Sequence, residues 1–177
     1  IREEYKKHIV RMFQLVGQDE KQATQSMEAV MEIETRLAKK AFSAVELRNP
    51  AANYHMLTLD EVKKQIPGFD WDAYLHAVGV KGVTSMNVSQ IEPVQEAVAI
   101  INEMPLDKQK ADLVWKLVDD AAAYLSEDFV AQNFEFYGKV LSGKKEDQPR
   151  WKKAVSVVNS VLGEAVGQMY VEKYFPA

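Results

Sequence analysis

The side chains that could do chemistry are few and scattered. Three histidines occur, His8, His55 and His76. No two of them share the four-residue spacing that puts a pair of imidazoles on one helix face, as H-E-x-x-H does to hold zinc. A di-metal site in a helical bundle needs two E-x-x-H pairs, and no histidine here follows a glutamate at that interval. All three are expected at the surface. Glu28, Glu32 and Glu34 lie close together on one predicted helix, and paired carboxylates do acid–base work where burial drives their pKa values apart. Arg36, Lys39 and Lys40 follow within pairing distance, so a solvated, charge-paired face is expected instead. The same reading applies to Asp119 and Asp120. There is no G-x-S-x-G elbow, no P-loop and no G-x-G-x-x-G run. Gly79-Val80-Lys81-Gly82 lacks the flanking strand and helix that would make it a phosphate cradle, and reads as a turn. Catalytic residues: none; metal ligands: none; substrate-binding residues stay open.

Composition narrows the class further. The 177 residues are 47% hydrophobic and 27% charged, ordinary values for a globular protein with its own core. Lysine and arginine total 22 against 26 acids, a net charge of −4, which argues against nucleic-acid binding. The absence of cysteine excludes disulfides, iron–sulfur clusters, zinc fingers and thiol nucleophiles. No apolar run approaches the ~20 residues of a membrane span. The chain opens at Ile1 without an initiator methionine and closes at Ala177 just past a strongly patterned helix, so it reads as a piece of something longer.

The elements that must position any site are helices. Ile1, Tyr5, Ile9, Met12, Phe13 and Val16 recur at helical spacing, and Gly17 is a natural stop. A second helix is expected over 19–47, with Ala23, Met27, Val30, Ile33, Leu37, Ala41 and Ala44 inward, ended by Arg48-Asn49-Pro50. Residues 49–57 read as a loop. Thr58-Leu59-Asp60-Glu61 is a capping box opening a short helix, and Asp70 caps another from Trp71 to Val78. Val83, Thr84 and Val88 make 80–90 the place for a short strand or hairpin. Further helices follow: one to Glu103 with Pro93 in its first turn; Leu106–Leu125 with Leu113, Val114, Leu117 and Val118 inward; one capped by Ser126 and ended at Gly143; and a last one from Pro149 with Trp151, Val155, Val158, Leu162 and Met169 in a stripe. Gly163 and Gly167 on that helix predict close approach of a neighbour, so that Gly167→Leu would overpack. Met12, Met27 and Met31 read as core filling. Asn87-Val88-Ser89 is a glycosylation sequon without meaning in a bacterial protein. The fold class is mostly all-α: one multi-helix domain, 1–177, with at most a short strand or hairpin near 80–90.

Several short motifs, in order and in register, carry a resemblance that the chemistry does not. Met31-Glu32-Ile33-Glu34; Arg48 through Tyr54 with Met56, Leu57, Thr58 and Leu59; Phe69-Asp70-Trp71; Tyr137-Gly138 with Leu141-Ser142-Gly143; Arg150-Trp151-Lys152; and Val158-Asn159 with Ala165-Val166-Gly167, Tyr170-Val171 and Phe175 follow one another along the chain. Together they resemble the non-catalytic helical region of the neprilysin and endothelin-converting-enzyme family of zinc endopeptidases. Animal members carry a cysteine two residues after Lys152, where this chain has Ala154, which fits a bacterial relative without the disulfides of the animal ectodomains.

The resemblance implies a two-domain parent enzyme. Its thermolysin-like half holds zinc through H-E-x-x-H and a distant glutamate. Its helical half caps the chamber, admits short peptides and excludes folded proteins. On that reading this segment is a fragment of the cap: it binds no zinc, is inactive alone, and its partner is the catalytic domain of the same polypeptide. Arg150-Trp151 and the Gly163/Gly167 helix would hold the cap rigid. The family places the parent in the periplasm or outside the cell. Two other classes stay open: a stand-alone helical interaction module without activity, and an all-helical enzyme, which would need a carboxylate or histidine cluster that the sequence does not display.

Overall fold

The computed structural model describes residues 1–175. Among them are nine α-helices, one π-helical segment, short 3-10 turns and a two-stranded antiparallel ribbon, so the mostly all-α expectation holds. Helix α1 (Arg2–Leu15) buries Ile9, Met12 and Phe13. It ends where Gly17 takes a φ of 98°, which a residue with a side chain rarely adopts. Helix α2 (Glu20–Lys40) starts from a reciprocal capping box: Asp19 Oδ1 accepts from the Gln22 amide at 2.8 Å, and Gln22 Oε1 accepts from the Asp19 amide at 3.4 Å.

Helix α2 stops at Lys40 rather than at Leu47. Ala41 turns extended (ψ 145°), the Phe42 amide donates to Gln90 Oε1, and Ser43 bonds Glu46 through both its amide and its hydroxyl. Side-chain bonds thus offer this stretch an alternative to the helical ladder. The predicted loop at 49–57 holds the missing partner of the predicted strand: β1 (Met56–Thr58) pairs with β2 (Ser85–Asn87), Leu57 opposite Met86. Thr58 closes β1 and caps α3 (Leu59–Gln65), with Glu61 reaching back to its amide at 2.7 Å. Helix α4 (Trp71–Ala77) is capped by Asp70 as expected. Trp71 closes this subassembly by donating its indole N–H to the Ile66 carbonyl at 3.0 Å.

Helices α5 (Ile91–Glu103) and α6 (Leu106–Ala121) complete the frame. Arg36 on α2 bonds both Glu96 and Glu103 on α5. Three apolar clusters result: Ile9, Met12, Phe13, Val30, Trp115 and Val118 between α1, α2 and α6; Val62, Ile66, Trp71, Val88 and Val98 under the ribbon; and a small one around Ile33, Ile100 and Met104. The inward face of α6 is the predicted one at Val118 but not at Leu113, Val114 and Leu117. Trp115, Val118 and Ala122 are buried, while Leu113, Val114 and Leu117 face solvent. The helix carries two apolar stripes, and the one bearing the large indole takes the core.

Helix α7 (Glu127–Asn133) passes directly into the π-helical segment Phe134–Leu141. Ser126 stands at the N-cap position, but its hydroxyl makes no capping bond. The predicted single last helix is two, α8 (Arg150–Val161) and α9 (Gly163–Tyr174), parted where Leu162 leaves the helical basin (φ −119°, ψ 31°) before Gly163. Neither buries a residue, and they make their main contact with each other.

Candidate functional site

The wide π turn lets two consecutive residues face the junction of α1 and α6. Phe136 stacks on the His8 ring (centroids 4.9 Å, planes 13° apart), and the Tyr137 hydroxyl donates to Asp119 Oδ2 at 2.6 Å. His8, expected at the surface, is 1% exposed. The Gln132 amide at 3.1 Å from Nδ1 assigns that nitrogen as acceptor, which leaves the proton on Nε2, facing Asp119 Oδ1 at 3.4 Å. Beside this chain the Tyr5 hydroxyl donates to Glu34 Oε1 at 2.8 Å, and the Trp115 indole N–H reaches the same oxygen at 3.3 Å. Asp119 and Glu34, expected on solvated faces, are therefore acceptors in a polar cluster tying α1, α2, α6 and the π segment together. Burial pushes both phenols well above the ordinary tyrosine range, and the carboxylate that each one faces adds to the shift.

This cluster is chemically quiet. Its imidazole, amide, carboxylates and phenols bond one another, so none is poised as a free base or nucleophile. Nor does it fit zinc. It offers one imidazole beside one carboxylate, and among the described residues no three His, Asp or Glu side chains lie close enough to hold a metal ion.

The other sequence candidates scatter. His55 Nδ1 sits 3.2 Å from the Val88 carbonyl, and Asn87 of the sequon accepts the His55 amide through its side chain. His76 and Glu28 are exposed, and Glu32 pairs with Lys108. Asp120 is exposed. Gly79 and Gly82 hold positive φ in the expected turn. Met12 is buried in the first core, with Met27 and Met31 packed against it. The close approach expected at Gly163 and Gly167 is absent: a Cβ at either would meet nothing within 4 Å. The close glycine is Gly138, where a Cβ would run into the Phe134 ring. Trp151, expected to brace the fold beside Arg150, is exposed with the Lys152 ammonium over its ring.

What the molecule does present is apolar surface. Leu106, Leu113, Leu117 and Tyr124 recur at spacings of seven and four and are 64%, 66%, 71% and 71% exposed, a stripe as regular as a buried one. Just beyond its C-terminal end Tyr124 lines a groove of about 660 Å³ with Leu125 and Val130, together with Val157 and Val158 of α8 and the charged Glu127, Arg150 and Lys153. Leu113 and Leu117 were expected in the core, and both are at the surface.

Comparison with known proteins decides what kind of chain carries this surface. The family model described as peptidase family M13 matches residues 1–177. The chain belongs to that family. It is 30% identical to the human membrane metallo-endopeptidase-like 1 over 99% of its own length and 24% of that protein's. It is 27% identical to the neutral endopeptidase of Lactobacillus helveticus over 96% of its length and 26% of that protein's. Among solved structures it superposes on the Mycobacterium tuberculosis zinc metalloprotease Zmp1 in complex with inhibitor with a TM-score of 0.90 at 30% identity, covering 97% of this chain and 26% of that one. The open state of Zmp1 gives 0.89 at 31% identity. The chain thus spans about a quarter of the length of these M13 relatives, and the helical expectation drawn from the neprilysin resemblance stands with the family.

Proposed function

We propose that this chain is a non-catalytic helical part of an M13 zinc metalloendopeptidase, and that it caps the catalytic chamber and limits substrates to short peptides. The family match over residues 1–177 carries this reading, joined to a span of about a quarter of the relatives' length. Zinc and the residues that activate water belong, on this reading, to the part of the polypeptide outside 1–177. The cap works by shape. Its stiffness comes from the Tyr5–Glu34 and Tyr137–Asp119 bonds across α1, α2, α6 and the π segment. The parent is assigned to the periplasm or the exterior, in keeping with its family; no described helix is long and apolar enough to cross a membrane. The experiment compares two polypeptides, this chain alone and the longest natural product of the same gene. The longer product is expected to hydrolyse a short quenched-fluorescence peptide in a chelator-sensitive way, and the 177-residue chain, folded by circular dichroism, to leave it intact. Hydrolysis by the short chain, or none by the long one, defeats the proposal.

A further inference from the structure

We infer that α8 and α9 form a movable arm, a packed pair that swings against the frame of α1, α2, α5, α6 and the π segment about a joint at Lys145-Glu146, widening and narrowing the groove between them. The inference goes beyond the capping reading and does not rest on it. The two bodies are held together in different ways. The frame is bound through its interior. All three apolar clusters lie between Tyr5 and Phe129 in sequence, and the Tyr5–Glu34, Tyr137–Asp119 and Arg36–Glu96 bonds cross between its helices. The arm is bound to itself. The Val166 amide donates to the Leu162 carbonyl across the break between its helices, Lys153 pairs with Asp147, and Gln168 bonds Glu172. Among the described residues no hydrogen bond or ion pair joins 147–175 to the frame, and neither α8 nor α9 buries a residue.

Hydrogen bonds place the joint. The Gly143 and Lys144 amides donate back to the Lys139 and Gly138 carbonyls, which ties both residues to the end of the π segment. Asp147 accepts from the Gln148 amide and pairs with Lys153, which ties it to the arm. Lys145 and Glu146 lie between, exposed and outside any helix or strand. Segments with few buried contacts and exposed backbone open at the lowest free-energy cost, and hinges are short loops of this kind. Tyr124, Leu125 and Val130 share the groove of about 660 Å³ with Val157 and Val158, so arm and frame meet across open space where a fixed interface would interlock. The Zmp1 structures bear on the same point. Two of them superpose on this chain with TM-scores of 0.90 and 0.89, and a partial open state, over the same 97% of the chain, with 0.79. The region of Zmp1 matched here thus differs in its internal arrangement between those structures.

The test uses the longest natural polypeptide containing 1–177, with nitroxide labels attached through p-acetylphenylalanine at exposed positions. One sample carries labels in place of Lys40 and Lys110, both in the frame; another carries them in place of Lys110 and Ser160, one in the frame and one in the arm. Pulsed electron paramagnetic resonance reads the distance distribution of each pair. The frame pair should give one narrow distance, and the frame–arm pair a distribution at least about twice as broad, or two populations. The double variant Lys145→Gly/Glu146→Gly frees the joint further; it should broaden the frame–arm distribution and leave the frame pair unchanged. A frame–arm distribution as narrow as that of the frame pair overturns the inference. So does one that the two glycines leave unaltered, or equal broadening of both pairs. Chelator-sensitive hydrolysis of a short peptide, assayed on the same samples, reports on the peptidase reading alone: a rigid arm with activity removes only this inference, and a moving arm without activity removes only that reading.

Discussion

Tyr5 and Tyr137 are the side chains whose protonation the fold constrains most. Their folded-state pKa values are raised, first by burial and then by Glu34 and Asp119 respectively. Below about pH 10, the ordinary tyrosine value, folded and unfolded chains are both protonated and the contribution of these bonds is complete. As pH rises past 10 the unfolded chain loses protons that the folded chain keeps, so stability falls. Tyr5→Phe should therefore lower the melting temperature at neutral pH yet flatten its decline between pH 9 and 11. An unchanged slope in the variant would show that Tyr5 titrates normally in the fold. Gly138 is the second constraint at this scale. A methyl there collides with the Phe134 ring, and overpacking of this kind costs roughly 1–3 kcal/mol. Gly138→Ala should lose that much in urea unfolding, and much less in a Phe134→Ala background. Equal losses in the two backgrounds would mean that the ring is not the obstacle. Tyr5 was legible in the sequence only as a helix position, and Tyr137-Gly138 only as a motif without a structural role. Their partners lie 29, 18 and 4 residues away, and only a π turn aims 136 and 137 at one junction.

Where elements begin was written more plainly than which way they face. The Thr58/Glu61 box and the Asp70 cap stand where the sequence put them, because caps are local chemistry between residues three apart. Thr58→Ala should cost about 1 kcal/mol. The Glu61 carboxyl is held low by the Thr58 amide and hydroxyl, so its contribution is present above the normal glutamate range and fades as pH falls through the depressed value. In Glu61→Gln that acid-side loss should shrink, as a pH series of melts would record. Facing was harder. Helix α6 offers Trp115/Val118/Ala122 and Leu106/Leu113/Leu117, and periodicity alone weighs both alike; the neighbours α1 and α2 select the first. On α9 the four-residue glycine spacing suggested a tight seam, yet both glycines face open space. In the 177-residue chain, then, Gly167→Ala should leave the melting temperature unchanged or raise it, since alanine gains up to about 1 kcal/mol over glycine inside a helix. A clear loss would restore the close neighbour.

Taken whole, the described chain is a helical frame with an aromatic and polar cluster inside and large apolar side chains outside. Inside, His8, Tyr5, Tyr137, Glu34 and Asp119 bond within one cluster, though the buried Asp112 keeps one carboxylate oxygen unpartnered, while α6, α8 and α9 hold large apolar residues in water. That combination fits a part whose remaining contacts lie elsewhere, and six short motifs said more about the chain than any candidate site residue: they reported membership in M13, whereas the candidate site residues lie scattered. The central claim is that this part restricts what reaches a catalytic chamber. Its most direct test is the rate at which the longest natural polypeptide cleaves one scissile sequence placed in a short peptide, in a long unstructured chain, and in an exposed loop of a folded protein. The account predicts fast cleavage of the first, a steep fall for the second and none for the third. Equal rates across the three would contradict it.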